Sequence, residues 1–268
     1  MMASHARTAL MGAALALWAA SSSAQTRPLL TEQASTAPAG TIRLEIGVDY
    51  ITDEPSFLSG ELRDRALGPI LNLVYSPADN VEIDLGWVVR TAAIDDPDFG
   101  TVSDFGDVAL RAKVRFVEEA PGRPAFGARF SVTLPQTSFT PEALGPDTIR
   151  MSAQMLLSKS FGSGFGIHLN AGLAIHDQIA DLPSQSDFLH YGAALTRRFG
   201  PGLEAVLEAS GLLGDGQAGT DEHGEVRAGV RFGSGRVRWD VALRRGLMSA
   251  DGEWGFSGGL TWHIRKGS

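Results

Sequence analysis

The strongest constraint on this chain is a strict alternation of apolar and polar residues along segments of 9 to 14 residues. A repeat of two residues is typical of a β-strand with two unlike faces. About twelve such segments follow one another, near 41–51, 68–76, 80–90, 105–117, 123–134, 148–160, 164–177, 188–199, 202–213, 223–232, 235–245 and 253–264. The pattern supports 202–213 least, because it contains good helix formers.

The length of these segments favours a membrane barrel. Strands of globular proteins usually have about 5 to 6 residues, whereas a tilted strand that crosses a bilayer needs about 9 to 11. Short links also alternate with longer ones, at 52–67, 91–104, 135–147, 178–187, 213–222 and 246–252. Outer-membrane barrels have short periplasmic turns and longer extracellular loops. We therefore predict an all-β chain that forms a transmembrane antiparallel barrel of about 12 strands; a soluble β-sandwich is the alternative.

The N-terminus indicates export. His5 and Arg7 precede an apolar run from Ala9 to Ala20, and the small residues up to Ala24 follow it, which is the pattern of a cleaved signal peptide. The apolar run is too short for a helix that spans a bilayer. We predict a signal peptide at 1–24, a flexible periplasmic segment at 25–40 that contains Pro28 and Pro38, and an outer-membrane barrel domain at 41–268.

The charged residues are distributed differently between the long links and the strands. The long links are rich in Asp and Glu and contain only two basic residues, Arg63 and Arg65, so we expect an acidic external rim. The polar strand faces carry charges of both signs, which cannot face lipid. The candidate lumen-lining residues are Arg90, Asp107, Arg111, Lys113, Arg115, Arg129, Arg150, His168, Asn170, Glu204, Glu208, Arg227, Arg231, Arg238, Asp240 and Arg244.

No motif indicates catalysis, a metal site or a cofactor. The chain has no Cys, and its run Gly162–Gly166 leads into a predicted strand rather than the helix that a phosphate loop requires. Outer-membrane enzymes that modify lipids expose a Ser and His pair on the barrel's outer surface. Here Ser158 and His168 are both predicted to face inward, so we predict that the chain is not an enzyme.

Several short motifs, in order, make the mature chain resemble a known family. They are Leu30-Thr31-Glu32, Leu44-Glu45-x-Gly47, Gly106-Asp107-x-x-Leu110-x-x-Lys113, Leu134-Pro135, Ser158-Lys159-x-Phe161-Gly162, His168-x-Asn170-x-Gly172, Arg245-Gly246-Leu247 and Trp254-Gly255-Phe256-Ser257-x-Gly259-Leu260-Thr261-Trp262. The chain is similar in these to the outer-membrane barrels of the MetA pathway of phenol degradation, a family described as transporter-like. The resemblance implies a barrel in the outer membrane and transport of small aromatic compounds.

The expected function is passive uptake of small solutes, aromatic or anionic, through the barrel. A structural or adhesin-like barrel without transport and a surface lipid-modifying enzyme are the alternatives. The expected partners are outer-membrane lipid, the barrel-insertion machinery and a small-molecule solute. A net charge of −8 argues against nucleic acid as a partner.

Overall fold

The computed structural model describes residues 27–56, 59–138, 144–145, 148–177, 185–214, 222–265 and 267. Every regular element in these ranges is a strand. The strands are β1 (Ile42–Pro55), β2 (Leu62–Ala78), β3 (Val81–Val88), β4 (Thr91–Asp96), β5 (Gly100–Asp104), β6 (Val108–Val117), β7 (Ala125–Leu134), β8 (Arg150–Ser160), β9 (Phe165–His176), β10 (Ser186–Gly200), β11 (Leu203–Leu213), β12 (His223–Ser234), β13 (Val237–Gly246) and β14 (Trp254–Arg265). No helix in this part of the chain is long and apolar enough to cross a membrane.

Twelve of the strands form a closed antiparallel ring. The order runs from β1 through β14 backwards along the chain to β6, β3 and β2, and β2 then pairs with β1. In the closing pairs, Gly47 of β1 stands opposite Gly259 of β14 on one side and opposite Ile70 of β2 on the other. Closure leaves no strand edge in the ring, so backbone groups can be satisfied within a bilayer. The predicted transmembrane barrel of about 12 strands is confirmed.

The predicted link at 91–104 is wrong, because it forms a hairpin of two further strands. β4 pairs with the outer part of β2, and β5 pairs with β4. The two strands continue β3 and β6 past a kink, where the Val88 and Gly106 N–H groups bond the carbonyls of Asp107 and Val88, each at 3.0 Å. The hairpin therefore extends the barrel wall on its long-loop side.

Burial is inverted relative to a soluble protein. Large apolar side chains are exposed on the outer face, with Leu173 at 61%, while charged side chains inside are buried, with Arg231 and Lys113 at 1%. A soluble sandwich would bury its apolar faces against one another instead. The exposed apolar face is the surface that lipid covers.

The N-terminal residues 27–40, here called the plug segment, lie inside the barrel. Leu29 packs against Ala194 and Val206 of the wall, and Ala34 packs against Ala125 and Leu156. The prediction of a flexible periplasmic segment is therefore wrong for residues 27–40. The predicted signal peptide at 1–24 lies outside the described residues.

Candidate functional site

Hydrogen bonds from its own backbone hold the plug segment in place. The segment pairs with no strand, so its N–H groups need other acceptors inside the barrel. Inward side chains of four different strands supply them. These bonds are Leu30 N to Glu208 (2.9 Å), Thr31 N to Glu208, Glu32 N to Asn170 Oδ1 (3.0 Å), Ala34 N to Ser158 Oγ (2.9 Å) and Ala37 N to Glu82 Oε1 (2.9 Å). The polar inner face of the barrel therefore binds the plug segment.

A buried ion cluster surrounds Glu32 of the plug segment. The Glu32 carboxylate accepts from Arg129 Nη1 at 2.5 Å and lies 3.8 Å from Lys113 Nζ. Arg129 also pairs with Asp84, and Lys113 lies 2.7 Å from Glu82. Buried charges are tolerated when they are paired, and each of these has at least one partner of opposite sign.

A second group of paired charges lies across β11 to β13. Glu204 lies 3.0 Å from Arg231 and 3.8 Å from Arg238. Glu225 lies 2.7 Å from Arg227 and 3.0 Å from Arg244. Each of these four arginines therefore has a carboxylate partner, but the four share two carboxylates, so the group carries more positive than negative charge.

A cavity of about 340 Å³ lies on the long-loop side of the plug segment. Its lining combines charged and polar groups with apolar side chains. The charged and polar residues are Arg65, Asn72, Thr91, Asp107, Arg111, Thr133, Thr137 and Arg150; the apolar ones include Leu67, Ile70, Val88, Ala109 and Leu144. Each arginine has a carboxylate partner, since Arg111 lies 2.8 Å from Asp84, Arg65 lies 2.9 Å from Glu54, and Arg150 bonds Asp107. The cavity therefore offers cationic donors beside an apolar wall.

The predicted lumen residues largely lie where the pattern placed them, with two differences. Lys113, Arg129, His168, Asn170, Glu204, Glu208, Arg227, Arg231 and Asp240 are buried inside the ring. Arg90 instead lies exposed at the kink, with its guanidinium 4.7 Å from the ring centre of Phe105. Arg115 is at the short-turn rim, where it bonds the carbonyl of Asp79 at 2.9 Å.

Ser158 and His168 meet inside the barrel. His168 Nδ1 lies 3.0 Å from Ser158 Oγ, which also accepts the N–H of Ala34 from the plug segment. Both residues are at least 95% buried, so the pair is not on the outer surface. Within the described ranges, no group of three or more His, Asp and Glu residues is arranged to hold a metal ion.

Asp251 organises the loop before β14. Its carboxylate accepts from the backbone N–H of Gly224 (2.9 Å) and Met248 (3.1 Å), and its other oxygen lies 2.9 Å from His223 Nδ1. Burial alone would raise the pKa of Asp251, but the hydrogen bond from His223 and those from the two N–H groups outweigh it and lower the pKa. The loop is therefore tied to β12 by an ionised carboxylate.

Sequence reasoning missed the contribution of the plug segment. Arg27 and Glu32 are its only charged residues, and both make buried ion pairs within the barrel. The available signal was the Leu30-Thr31-Glu32 motif, which places a carboxylate in a segment otherwise poor in charge. Arg43 was also missed; it pairs with Glu45 at 3.0 Å and is 2% exposed.

Comparison with solved structures finds the same fold. The COG4313 outer membrane channel from Pseudomonas putida F1 aligns with a TM-score of 0.63 and 18% identity, over 85% of this chain and 97% of that one. The translocator domain of the autotransporter NalP from Neisseria meningitidis aligns with a TM-score of 0.51 and 11% identity, over 84% and 88%. At these identities the likeness concerns the fold alone.

Comparison at the level of sequence identifies the family of this chain. Among curated proteins no relative matches this chain. A family model matches residues 26–263, which covers the plug segment and almost the whole barrel. The chain belongs to the family described as "Putative MetA-pathway of phenol degradation".

Proposed function

We propose that this protein is a passive outer-membrane channel for the uptake of small solutes, aromatic or anionic. The observation that carries the proposal is the cavity on the long-loop side, where Arg111 and Arg150 stand beside Leu67, Ile70 and Leu144. A guanidinium binds carboxylates and phenolates by charge-assisted hydrogen bonds, and the apolar wall accepts an aromatic ring. The family description and the solved channel of similar fold support the same proposal.

The plug segment defines what transport would require. It lies between the cavity and the short-turn side, with Thr31, Ala34 and Ala37 buried. Passage through the lumen therefore needs displacement of the plug segment, and no nucleotide motif suggests an energy source for it. A structural or adhesin-like barrel is the second candidate, and the densely paired lumen is the observation that favours it.

Planar-bilayer conductance and liposome flux with benzoate distinguish these two functions. We expect low conductance for the complete mature chain and higher conductance once residues 27–37 are deleted. Arg111→Gln combined with Arg150→Gln should reduce the preference for anions over cations. Arg197→Gln is the matched control, because Arg197 stacks on the exposed Phe165 at 4.1 Å outside the cavity. Absence of flux through a folded, plug-deleted barrel would refute the channel and leave the structural function.

A further inference from the structure

The side chain of Arg27 occupies a recess in the barrel wall that has the form of a binding site. The recess lies where β1, β13 and β14 adjoin, and its floor is formed by Gly47 and Gly259, which face each other across the strand pair. A Cβ atom on Gly47 would overlap the Arg27 guanidinium, and one on Gly259 would lie 2.7 Å from Arg27 Nε. The planar guanidinium therefore lies flat against a part of the barrel wall that carries no side chains.

Two carboxylates provide the charge of the recess. Arg27 Nη2 lies 3.6 Å from Asp49 Oδ1, and Arg27 Nε lies 3.5 Å from Asp240 Oδ1. Arg27 Nη2 also donates to the carbonyl of Gly258 at 3.1 Å. One planar cation thus meets two acids and a carbonyl around its edge, which is the geometry that guanidinium recognition uses.

Asp240 shows that Arg27 does not complete this site. The Asp240 side chain is fully buried, and neither of its oxygens has a hydrogen-bond partner. A buried carboxylate without donors is costly, so its retention calls for a cation that approaches more closely than 3.5 Å. The backbone of Arg27 is held in place, since its carbonyl accepts from Arg231 Nε at 2.7 Å, and this limits how far its side chain can reach.

We propose that this recess is a binding site for guanidinium or amidinium cations and that Arg27 fills it as a ligand tethered within the same chain. A free cation of this class has no tether, so it can move toward Asp240 and satisfy its oxygens. Such a solute competes with Arg27 for the recess. The proposal concerns binding and holds whether or not the barrel transports solutes.

Chemical rescue tests the site directly. In purified mature protein in detergent, Arg27→Ala empties the recess, and methylguanidinium binding is measured by calorimetry. We expect Arg27→Ala to bind methylguanidinium at least tenfold more tightly than the unaltered chain does. Two compounds serve as controls: methylammonium is charged but not planar, and urea is planar but not charged. Both should bind Arg27→Ala at least tenfold more weakly than methylguanidinium does.

Second substitutions in the Arg27→Ala background locate the binding. Asp240→Asn and Gly47→Ala should each abolish methylguanidinium binding, the first by removing charge and the second by filling the floor. Gly200→Ala is the matched control and should leave binding unchanged, because Gly200 lies on β10 outside the recess and its Cβ would meet nothing within 4 Å. Heat-modifiable migration on gels confirms that every variant is folded.

Two results would overturn the proposal. One is equal methylguanidinium affinity for the unaltered chain and for folded Arg27→Ala, which would place any binding elsewhere. The other is binding by Arg27→Ala that persists in both the Asp240→Asn and the Gly47→Ala background. Conductance is not among these readouts, so failure of the channel function and failure of this site are separate outcomes.

Discussion

Glu32→Ala tests whether the buried ion cluster holds the plug segment in the barrel. The substitution removes the 2.5 Å bond to Arg129 and the 3.8 Å ion pair with Lys113. Removing one partner of a buried pair usually costs about 3–5 kcal/mol, because a charge is left alone. Here Arg129 keeps Asp84 and Lys113 keeps Glu82, so neither cation is left without an opposite charge.

The expected loss is therefore that of one charge-assisted hydrogen bond, about 1.5–3 kcal/mol. A loss of about 2 kcal/mol changes an equilibrium roughly thirty-fold. Hydrogen exchange of the plug amides, followed by mass spectrometry, measures that equilibrium, since Glu208, Asn170 and Ser158 protect these amides only while the segment is docked. We expect protection across residues 27–40 to fall roughly thirty-fold.

Gln33→Ala is the matched control, because among the described residues the Gln33 side chain hydrogen-bonds only to the neighbouring Ser35, at 3.2 Å. It should leave protection within about threefold of the unaltered chain. The reasoning is refuted if Glu32→Ala leaves protection unchanged in a folded barrel. It is equally refuted if Gln33→Ala causes the same loss, since the cluster would then contribute nothing specific.

Three further predictions concern the barrel itself. Because the pKa of Asp251 is lowered in the folded protein, its contribution to stability is complete above the ordinary carboxyl pKa of about 4 and declines as pH falls through the lower folded value. The thermal midpoint of Asp251→Asn should therefore lie below that of the unaltered chain at neutral pH, and the two midpoints should converge in acid. Gly172→Ala places a Cβ against a carbonyl oxygen of the neighbouring strand and should destabilise the barrel by about 1–3 kcal/mol in denaturant titration, whereas Gly162→Ala meets nothing within 4 Å and should have no effect. Leu207→Arg, in the middle of the lipid-facing side of β11, should cost about 2–4 kcal/mol in vesicle refolding, whereas Leu247→Arg in an extracellular turn should cost less than about 1 kcal/mol.

The sequence alone was sufficient for the class of fold and for most of the inward face. Alternation with a period of two is a local property of each strand, and a membrane requires strands long enough to cross it, so both signals can be read without any knowledge of pairing. Even Leu203–Leu213, which contains good helix formers, is a strand as predicted. Pairing with β10 and β12 on both sides overrides its local propensity.

Only the tertiary structure decided where the plug segment and the two extra strands lie. Residues 27–40 contain two prolines and have no alternating pattern, so nothing local distinguishes a flexible tail from a segment bound inside a barrel. Its position depends on acceptors such as Glu208 and Asn170, which are more than 130 residues away in the chain and come together only when the ring closes. Arg90 turned outward for a similar reason, because the kink between β3 and β4 interrupts the alternation on which its inward assignment rested. Local patterns determine which side of a strand a residue occupies, whereas contacts across the lumen depend on closure of the barrel.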